Sequence, residues 1–296
     1  MKDFSGKAAV VTGAGSGIGR AIAESLASEG VAVAVADIEL ENAELVASEI
    51  VNKGGRAIAI KTDVSKLSDV QALADAAYEA FGDVHILVNN AGVAFRPFRA
   101  IWDTSHEDFE WMVGVNIWGV IHGIEVFVPR MRATSGEKHI VNTSSVSTFI
   151  KVPGNATYTM TKYAVDGLSE IIREELEADN IGVTILFPGH ILTNVSKSGR
   201  LRSPDAQKRD ANLRPYVSYA EERGEALKGE PSKSAGGAVN LIGAGEDITR
   251  GIEASEVGPM VIAAIKENRP YCMTHPAPVE TIEAHARELL DSYRPV

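Results

Sequence analysis

Tyr158 and Lys162 are the residues of this chain whose types and spacing most directly suggest chemistry. They stand four positions apart, and on a helix that spacing places both side chains on one face. A free phenol has a pKa near ~10, and lowering it by about 3 units requires roughly 4 kcal/mol in favour of the phenolate. One ammonium at ~4 Å in an effective dielectric near ~20 supplies about that much. The pair is therefore a candidate proton donor and acceptor for an alcohol or ketone, although a helix can carry both residues without that role.

A glycine-rich stretch, Thr-Gly-Ala-Gly-Ser-Gly-Ile-Gly, occupies positions 12–19 between a strand-like run and a helical run. Such a turn lets a pyrophosphate approach the backbone, and the helix that follows offers N–H donors and its dipole. The absence of a following Gly-Lys-Ser/Thr excludes a nucleoside-triphosphate loop. The alternative is a purely structural glycine turn. The candidate cofactor residues here are Gly13, Gly15, Ser16, Gly17, Ile18 and Gly19.

Asp37 ends the second strand-like run, 18 residues after Gly19. A carboxylate at this position accepts hydrogen bonds from the adenosine ribose and repels a 2′-phosphate. Neither Ser16 nor Ile38 offers a cation to hold such a phosphate, so the sequence favours NAD over NADP. The same carboxylate could also cap the following helix.

Composition and charge exclude several classes of function. The formal net charge is −11 over 296 residues, which disfavours general nucleic-acid binding because phosphate contacts need a basic face. The single cysteine, Cys272, cannot form an intrachain disulfide. Histidine and cysteine spacing predicts no metal site. We expect no membrane-spanning run and no signal peptide, which together favour a cytoplasmic protein.

Apolar strand-like runs alternate with amphipathic helical runs along the chain. Continuous apolar strands separated by helices indicate a parallel sheet covered on both faces, an α/β architecture. The predicted strands are 8–12, 31–36, 57–62, 86–89, 140–143, 183–187 and 271–274, and the predicted helices are 18–28, 39–53, 67–81, 107–131, 158–178, 256–267 and 279–293.

Residues 196–250 differ from the rest because they are polar, rich in glycine and weakly periodic. A long stretch of this kind is usually a lid or a disordered insertion, and 228–237 reads as flexible. We therefore predict one Rossmann-like, doubly wound domain over 1–296, with a seven-stranded parallel sheet. Within it, 190–250 form a substrate lid and 278–296 a C-terminal helical tail.

Several motifs, all in the family's order, make the chain resemble the standard-length short-chain dehydrogenase/reductase family over residues 5 to about 195. Besides the glycine-rich turn and the Tyr158/Lys162 pair, the matching segments are Asp63-Val64, Asn89-Asn90-Ala91-Gly92, Asn116 within a Val-Asn-Ile-Trp-Gly segment, Ser145 placed 13 residues before Tyr158, and Pro188-Gly189-His190-Ile191-Leu192-Thr193. The resemblance implies a nicotinamide cofactor and interconversion of a secondary alcohol and a ketone.

The resemblance also implies a role for each matching residue. Tyr158 exchanges the alcohol proton, Lys162 lowers the pKa of Tyr158 and holds the nicotinamide ribose, Ser145 bonds the substrate oxygen, and Asn116 helps to hold a water that relays protons. Ser144 is expected to point away from Ser145. The remaining cofactor candidates are Asp63, Val64, Asn90, Ala91, Gly92, Pro188, Gly189, Ile191 and Thr193, together with Tyr158 and Lys162.

The substrate is expected to meet the loops at 93–102, 148–155 and 190–214, because specificity resides outside the carboxyl edge of such sheets. Their apolar residues could line a wide pocket or could simply pack; these are Val93, Phe95, Phe98, Trp102, Phe149, Ile150 and Val152. Further segments resemble bacterial dehydrogenases of benzylic (Cα) alcohols from lignin aryl ethers and reductases of bulky ketones. That resemblance implies a bulky, apolar or aromatic secondary alcohol.

Other functions fit the same motifs. A hydroxysteroid dehydrogenase and a 3-oxoacyl-thioester reductase are the enzymatic alternatives, the latter weakened by Asp37. A non-catalytic NAD-binding sensor is the alternative from another class. The resemblance further implies a homotetramer or homodimer whose contact uses helices 107–131 and 158–178, and the tail helix 279–293 could close the site or clasp a neighbour.

Overall fold

The structure is a computed structural model that describes residues 1–223, 250–276 and 278–293. Its central element is a parallel seven-stranded sheet, as predicted. In chain order the strands that enter it are β1 (Ala8–Thr12), β2 (Ala32–Asp37), β3 (Ala57–Lys61), β4 (Ile86–Asn89), β5 (Lys138–Thr143), β6 (Ile181–Phe187) and β9 (Tyr271–Met273). Their spatial order is β3-β2-β1-β4-β5-β6-β9. The order reverses between β1 and β4, and a crevice opens beyond the carboxyl ends of strands at such a point.

Helices cover both faces of the sheet, which explains why β1, β2, β4 and β5 are buried along their whole length. One core lies between the sheet and α1 (Gly17–Ser28), α2 (Leu40–Asn52) and α9 (Ala254–Lys266). The other core lies beneath α3 (Leu67–Phe81), α5 (Gly119–Arg132) and α6 (Ala156–Leu176). The predicted doubly wound α/β fold is thereby confirmed.

The helix predicted over 107–131 is not uniform. It consists of α4 (His106–Val113), a five-residue π-helical turn (Gly114–Trp118) and then α5. By length and composition alone, the stretch His106–Arg132 is apolar enough to cross a membrane, with a mean hydropathy of 1.4 and 44% of its most apolar window buried. This differs from the expectation that no segment reaches that criterion. Phe127 and Met131 of this stretch are buried in the core beneath α5, which accounts for part of its hydropathy.

The segment predicted as a lid has regular structure over its described part. Residues Asn194–Leu201 form 3₁₀ turns, followed by α7 (Pro204–Ala211) and α8 (Tyr216–Glu222). A separate pair of short strands, β7 (Ile191–Leu192) and β8 (Ile252–Glu253), joins the two ends of the insertion. The flexible stretch predicted at 228–237 lies outside the described residues.

Four charged residues fasten α7 to the body of the protein, and three of them are buried while the Asp210 side chain is 18% exposed. Arg99 Nη1 lies 2.8 Å from Asp108 Oδ2 and Arg99 Nη2 lies 3.2 Å from Asp210 Oδ1. Arg202 Nη1 contacts Asp210 Oδ2 at 2.8 Å, and its Nη2 bonds Asp108. The side chains of Arg99, Asp108 and Arg202 are each 3% exposed. We call these four residues the buried quartet.

The predicted tail helix is observed as α10 (Val279–Asp291). It lies on the surface, with no buried residue along its length. Leu289 and Leu290 are exposed, and a contact of 3.7 Å joins Lys151 to Glu288. The division into one domain, a lid and a tail stays a prediction.

Candidate functional site

The glycine-rich turn lies at the sheet crevice, and its glycines are required for two different reasons. Gly13 and Gly17 have φ values of +63° and +55°, in the left-handed region that disfavours other residues. At Gly19 the constraint is contact: a Cβ would stand 2.2 Å from the Gly13 carbonyl oxygen and 2.5 Å from Asn90 Nδ2. The turn is therefore folded tightly against the start of α1, whose first N–H groups suit an anionic ligand.

Thr12 and Asn90 join the ends of β1 and β4. The amide of Asn90 donates from Nδ2 to the Thr12 carbonyl at 2.9 Å, while the Thr12 hydroxyl accepts from the backbone N–H groups of Asn90 at 3.0 Å and Ala91 at 3.1 Å. These bonds hold residues 90–92 beside the glycine turn. Asn90, Ala91 and Gly92 then line the same cavity as Gly13 and Gly17.

Asp37 connects the second strand to the glycine turn. Its Oδ2 accepts from the backbone N–H of Gly15 at 2.8 Å and its Oδ1 from Glu39 at 3.0 Å. Each carboxylate oxygen keeps a second acceptor position, which fits ribose hydroxyl groups. Asp37 does not cap α2, whose N-cap residue is Glu39.

Arg200 is a cation at the Asp37 end of the cavity, and the spacing of residues in the sequence did not indicate it. Arg200, in the 3₁₀ segment, lines the same cavity as Asp37 and Ile38, and its guanidinium is paired with the Glu39 carboxylate. It lies 161 residues from that partner in the chain. Only the folding of the insertion brings it here.

Asp63 and Val64 form a third part of the cavity wall. Asp63 Oδ1 accepts from the Ser65 hydroxyl at 2.6 Å and from the Ser65 N–H at 3.1 Å, which fixes the turn before α3. The Val64 carbonyl lies 2.9 Å from His122 Nδ1. Both residues therefore have fixed positions in the cavity wall.

Asn116 lies inside the π-helical turn and is completely buried. Its Nδ2 donates to the Val93 carbonyl and to the Thr161 hydroxyl, both at 3.0 Å, and its Oδ1 accepts from the Val93 N–H at 2.8 Å. Asn116 thus connects the loop after β4 with α6. It does not line the cavity, and its predicted catalytic role stays a prediction. Single π-helical turns inside α-helices are frequent at functional sites.

Tyr158, Lys162 and Ser145 meet at the other end of the cavity from Asp37. Tyr158 and Lys162 project from the first turns of α6, and Lys162 Nζ lies 5.6 Å from the centre of the Tyr158 ring. The Lys162 ammonium donates to the Thr143 carbonyl at 2.8 Å. Ser145 follows β5, and its hydroxyl accepts from the Ser147 N–H at 3.1 Å.

The charges at this end differ from the expectation. Burial raises the pKa of Tyr158 above its ordinary value, while the Ser145 hydrogen bond and the charge of Arg96 act in the opposite direction. Burial also lowers the pKa of Lys162 to about 8, against the charge of Asp166. The net direction for Tyr158 is thus opposite to the lowering expected from Lys162, because desolvation disfavours the phenolate more than its neighbours favour it.

Asp166 and Ser144 belong to this cluster and were not expected there. Burial raises the pKa of Asp166 to about 6, and its Oδ1 is buried without a hydrogen-bond partner. The Ser144 hydroxyl also donates to the Lys162 carbonyl at 3.4 Å. Both Ser144 and Ser145 line the cavity, and that the side chain of Ser144 points away from Ser145 stays a prediction.

The Pro188–Thr193 segment closes the cavity from above. The Pro188 carbonyl accepts from the Val146 N–H at 3.1 Å, and the Gly189 N–H donates to the Thr274 hydroxyl at 2.9 Å. Pro188, Gly189, Ile191 and Thr193 all face the cavity. Thr274 is a support that the sequence motifs did not indicate.

Most predicted site residues lie around one cavity of about 230 Å³. The predicted residues that line it are Gly13, Ser16, Gly17, Ile18, Asp37, Ile38, Asp63, Val64, Asn90, Ala91, Gly92, Ser145, Tyr158, Lys162, Pro188, Gly189, Ile191 and Thr193. Three predicted site residues do not line the cavity but lie behind the residues that do: Gly15, Gly19 and Asn116. In the described part of the chain no group of three or more His, Cys, Asp or Glu residues is arranged to hold a metal ion.

The apolar loop residues expected to form a substrate pocket mostly pack elsewhere. Phe149 packs on Phe187 at 4.9 Å between ring centres, and Trp102 on Tyr219 at 5.6 Å. Ile150 and Val152 join a small core beside β6. Val93 does line the cavity. Its apolar neighbours there are Trp111, Val115 and Leu201.

Comparison with known proteins agrees with this geometry. The family model described as short chain dehydrogenase matches residues 7–203. The C alpha-dehydrogenase of Sphingobium sp. strain SYK-6 is 32% identical, over 100% of this chain and 89% of that protein. The CLA biosynthesis dehydrogenase/reductase of Lactiplantibacillus plantarum is 28% identical, over 100% of this chain and 97% of its own length.

A solved structure matches the whole fold. It is a short-chain dehydrogenase/reductase from Burkholderia phymatum in complex with NAD, 33% identical, with a TM-score of 0.83 over 100% of this chain and 98% of that one. The donor set described above, with glycine-turn N–H groups, Asp37 and Lys162, suits a nicotinamide dinucleotide. The chain belongs to the short-chain dehydrogenase/reductase family of oxidoreductases.

Proposed function

We propose that this protein is an NAD-dependent dehydrogenase that interconverts a bulky secondary alcohol and the corresponding ketone. The observation that carries the proposal is the meeting of Ser145, Tyr158 and Lys162 at one end of a cavity whose other end is formed by Asp37 and the glycine turn. A bound nicotinamide supplies or accepts the hydride. Residues of this chain bind the substrate oxygen and transfer the proton.

Tyr158 is the proton-transfer group, because it lines the cavity together with Ser145 and Lys162. In the reductive direction its hydroxyl donates the proton to the ketone oxygen, and in the oxidative direction its phenolate form takes the hydroxyl proton as the carbinol hydrogen leaves with its electron pair to the nicotinamide. Ser145 bonds the substrate oxygen, where charge develops. Lys162, anchored by the Thr143 carbonyl, holds the ribose hydroxyls and keeps a positive charge near the phenol.

The preference for NAD rests on Asp37. Its carboxylate is fixed by the glycine turn and would face the ribose hydroxyls, where a 2′-phosphate would be repelled. Arg200, the cation nearest this end, is neutralised by Glu39. Turnover with NADP equal to or better than that with NAD would contradict this assignment.

The substrate is proposed to be bulky and apolar because Val93, Trp111, Val115 and Leu201 surround the reacting end. The similarity to a C alpha-dehydrogenase adds benzylic alcohols to the candidates. The acid–base groups are all present, which argues against a non-catalytic sensor. Hydroxysteroids and 3-hydroxyacyl thioesters are the enzymatic alternatives.

The test is NADH formation across secondary alcohols, from small aliphatic through benzylic and bulky aryl alcohols to a hydroxysteroid and a 3-hydroxyacyl thioester. Tyr158→Phe should lower kcat at least about a hundredfold, since general acid–base catalysis contributes that much. Tyr163→Phe is the matched control: this tyrosine is adjacent to Lys162, but it is 52% exposed and donates to the Thr148 carbonyl.

Cofactor binding must be followed separately by NADH fluorescence. Full NADH binding with no turnover on any alcohol would contradict the proposed reaction. Equal losses in Tyr158→Phe and Tyr163→Phe would contradict the assignment of the proton-transfer group.

The assembly is proposed to be a homodimer or homotetramer that forms through α5 and α6, whose exposed faces carry Trp118, Met160, Tyr163 and Ile171. The protein is further proposed to act on a small molecule, without nucleic acid or membrane, in the cytoplasm. Sedimentation at micromolar concentration tests the assembly. A monomer at that concentration would contradict it.

A further inference from the structure

Arg96 is an arginine in the loop between β4 and α4 whose side chain has few partners. Its guanidinium stacks over the Phe98 ring at 4.1 Å, and Nη1 donates to the Phe95 carbonyl at 2.7 Å. Its Nε is buried and has no hydrogen-bond partner. In residues 1–223, 250–276 and 278–293, no carboxylate lies within 4.0 Å of the Arg96 side chain.

Arg99, three residues further along the same loop, forms ion pairs with two carboxylates. Its Nε is also unpartnered, but its two terminal nitrogens hold the carboxylates of Asp108 and Asp210. A largely buried guanidinium without an acidic partner is costly because desolvation disfavours its charge. Arg96 therefore lacks the anion that Arg99 has.

The loop that carries Arg96 is rigid on both sides of it. Val93 is bonded to Asn116 through its N–H and its carbonyl. On the other side, the Arg99 N–H donates to the Gly154 carbonyl at 3.1 Å, and the Phe98 carbonyl accepts from Tyr216 at 2.8 Å. The guanidinium is consequently presented from a fixed backbone, and binding to it would cost little ordering.

Arg96 lies next to the reacting end of the site, since Phe95, its neighbour in the chain, belongs to the apolar cluster on which Tyr158 packs. It lines a cleft of about 530 Å³ together with His190, Thr193 and Asn194, of which Thr193 and Asn194 also line the cofactor cavity. Arg96 and Tyr158 are electrostatically coupled, since each shifts the pKa of the other.

The two carboxylates in that cleft are already engaged. Glu24 bonds Arg20 at 3.1 Å, and Glu253 forms the capping box of α9. Neither is a partner for Arg96.

We propose that Arg96 binds a carboxylate on the substrate, so that the enzyme acts on hydroxy acids with a bulky apolar body. The inference rests on the proposed dehydrogenase function and specifies its substrate class. Lys162 is a second cation at this end, and the carboxyl group of Asp166 lies near Lys162. This imbalance favours an anionic substrate over a neutral one of the same shape.

The test compares matched pairs of secondary alcohols, each a carboxylate and its primary amide, with the acid group two, four or six bonds from the carbinol carbon. Wild-type enzyme should prefer the carboxylate at one spacing by roughly tenfold to a hundredfold in kcat/KM, which is the effect of a charge-assisted hydrogen bond. Arg96→Gln should abolish that preference, and Arg96→Lys should restore part of it.

Calorimetry with the corresponding keto acid and keto amide in saturating NAD gives the same comparison without turnover. If no alcohol is oxidised but the keto acid binds with an Arg96-dependent preference, the proposed reaction fails and this inference stands. If alcohols are oxidised with no carboxylate preference at any spacing, this inference fails alone.

Two further results would overturn the assignment to Arg96. One is a preference abolished by Lys197→Gln, in the same cleft, but not by Arg96→Gln. The other is an equal loss of kcat/KM for carboxylate and amide in Arg96→Gln, with a shifted pH profile. That result would show that Arg96 acts through Tyr158. The wild-type comparison decides the matter even if Arg96→Gln does not fold.

Discussion

Replacing Arg202 with methionine should strongly destabilise the protein, because it removes one cation from the buried quartet. Arg202 contacts both Asp108 and Asp210, and its side chain is 3% exposed. Burial acts to raise the pKa of Asp108, but the hydrogen bond and charge of Arg202 outweigh it, with help from Ser105 and Arg99, and the pKa is lowered. Without Arg202, two carboxylates would share Arg99 alone.

Removing one partner of a buried ion pair costs about 3–5 kcal/mol, since the remaining charge is buried without compensation. For a chain of this size that corresponds to a fall in Tm on the order of 10 °C. If the 3₁₀ segment and α7 detach instead, the global loss is smaller, but Ser198 and Leu201 then leave the cavity wall. The Michaelis constant should rise in that case.

The assay is urea unfolding followed by tryptophan fluorescence, since the Arg202 guanidinium lies 5.0 Å from the centre of the Trp111 ring. Arg209→Met is the matched control: Arg209 pairs with Glu107, so it joins the same two helices, but its side chain is 44% exposed. An exposed pair contributes about 0–1 kcal/mol. Equal stability of the two variants, with unchanged Michaelis constants, would refute the reasoning.

Two further substitutions test the packing and the pH dependence. Gly19→Ala should weaken NADH binding at least about tenfold, because the added methyl would stand 2.2 Å from the Gly13 carbonyl oxygen. The control is Gly167→Ala, where a methyl has free space and should stabilise α6 by about 1 kcal/mol. Equal NADH affinities of the two variants would contradict this reasoning. Burial lowers the pKa of His139 to about 3 in the folded protein. As the pH falls below ~6.5, this histidine is therefore protonated in the unfolded chain but not in the folded one. The free energy of unfolding should then fall by about 1.4 kcal/mol per pH unit. His139→Gln should lose that slope in urea titrations at pH 7 and pH 5, and an unchanged slope would show that other groups cause it.

The core of the fold was predictable because its strands are short, continuous apolar runs with helices between them. Deviations are small: β5 starts at Lys138 and β6 at Ile181, earlier than apolarity alone indicated. The π-helical turn leaves no signature in periodicity. The polar stretch 196–250 predicted a lid or a disordered insertion. In the structure, Asp210 of α7 is neutralised by Arg99, 111 residues away, and Arg202 by Asp108, 94 residues away.

The cofactor end of the site was predictable for a different reason. Its residues occur in compact motifs at strand ends, and parallel strands bring their carboxyl ends together. The substrate end depends on distant segments. Arg96 and Arg200 lie outside any motif, and only packing places them beside Tyr158 and Asp37. The aromatic loop residues were ambiguous because a loop side chain can pack inward or line a cavity.

The bonds between Thr12 and Asn90 have a consequence for the order of folding. The first three strands and their helices contain the whole glycine turn and Asp37, but the contact that closes the turn comes from residues 78 positions downstream. The cofactor site therefore exists only after β4 has joined β1, a long-range pairing that forms slowly. NAD can stabilise only the assembled sheet. A fragment of residues 1–84 would keep every glycine of the motif and would not bind the dinucleotide.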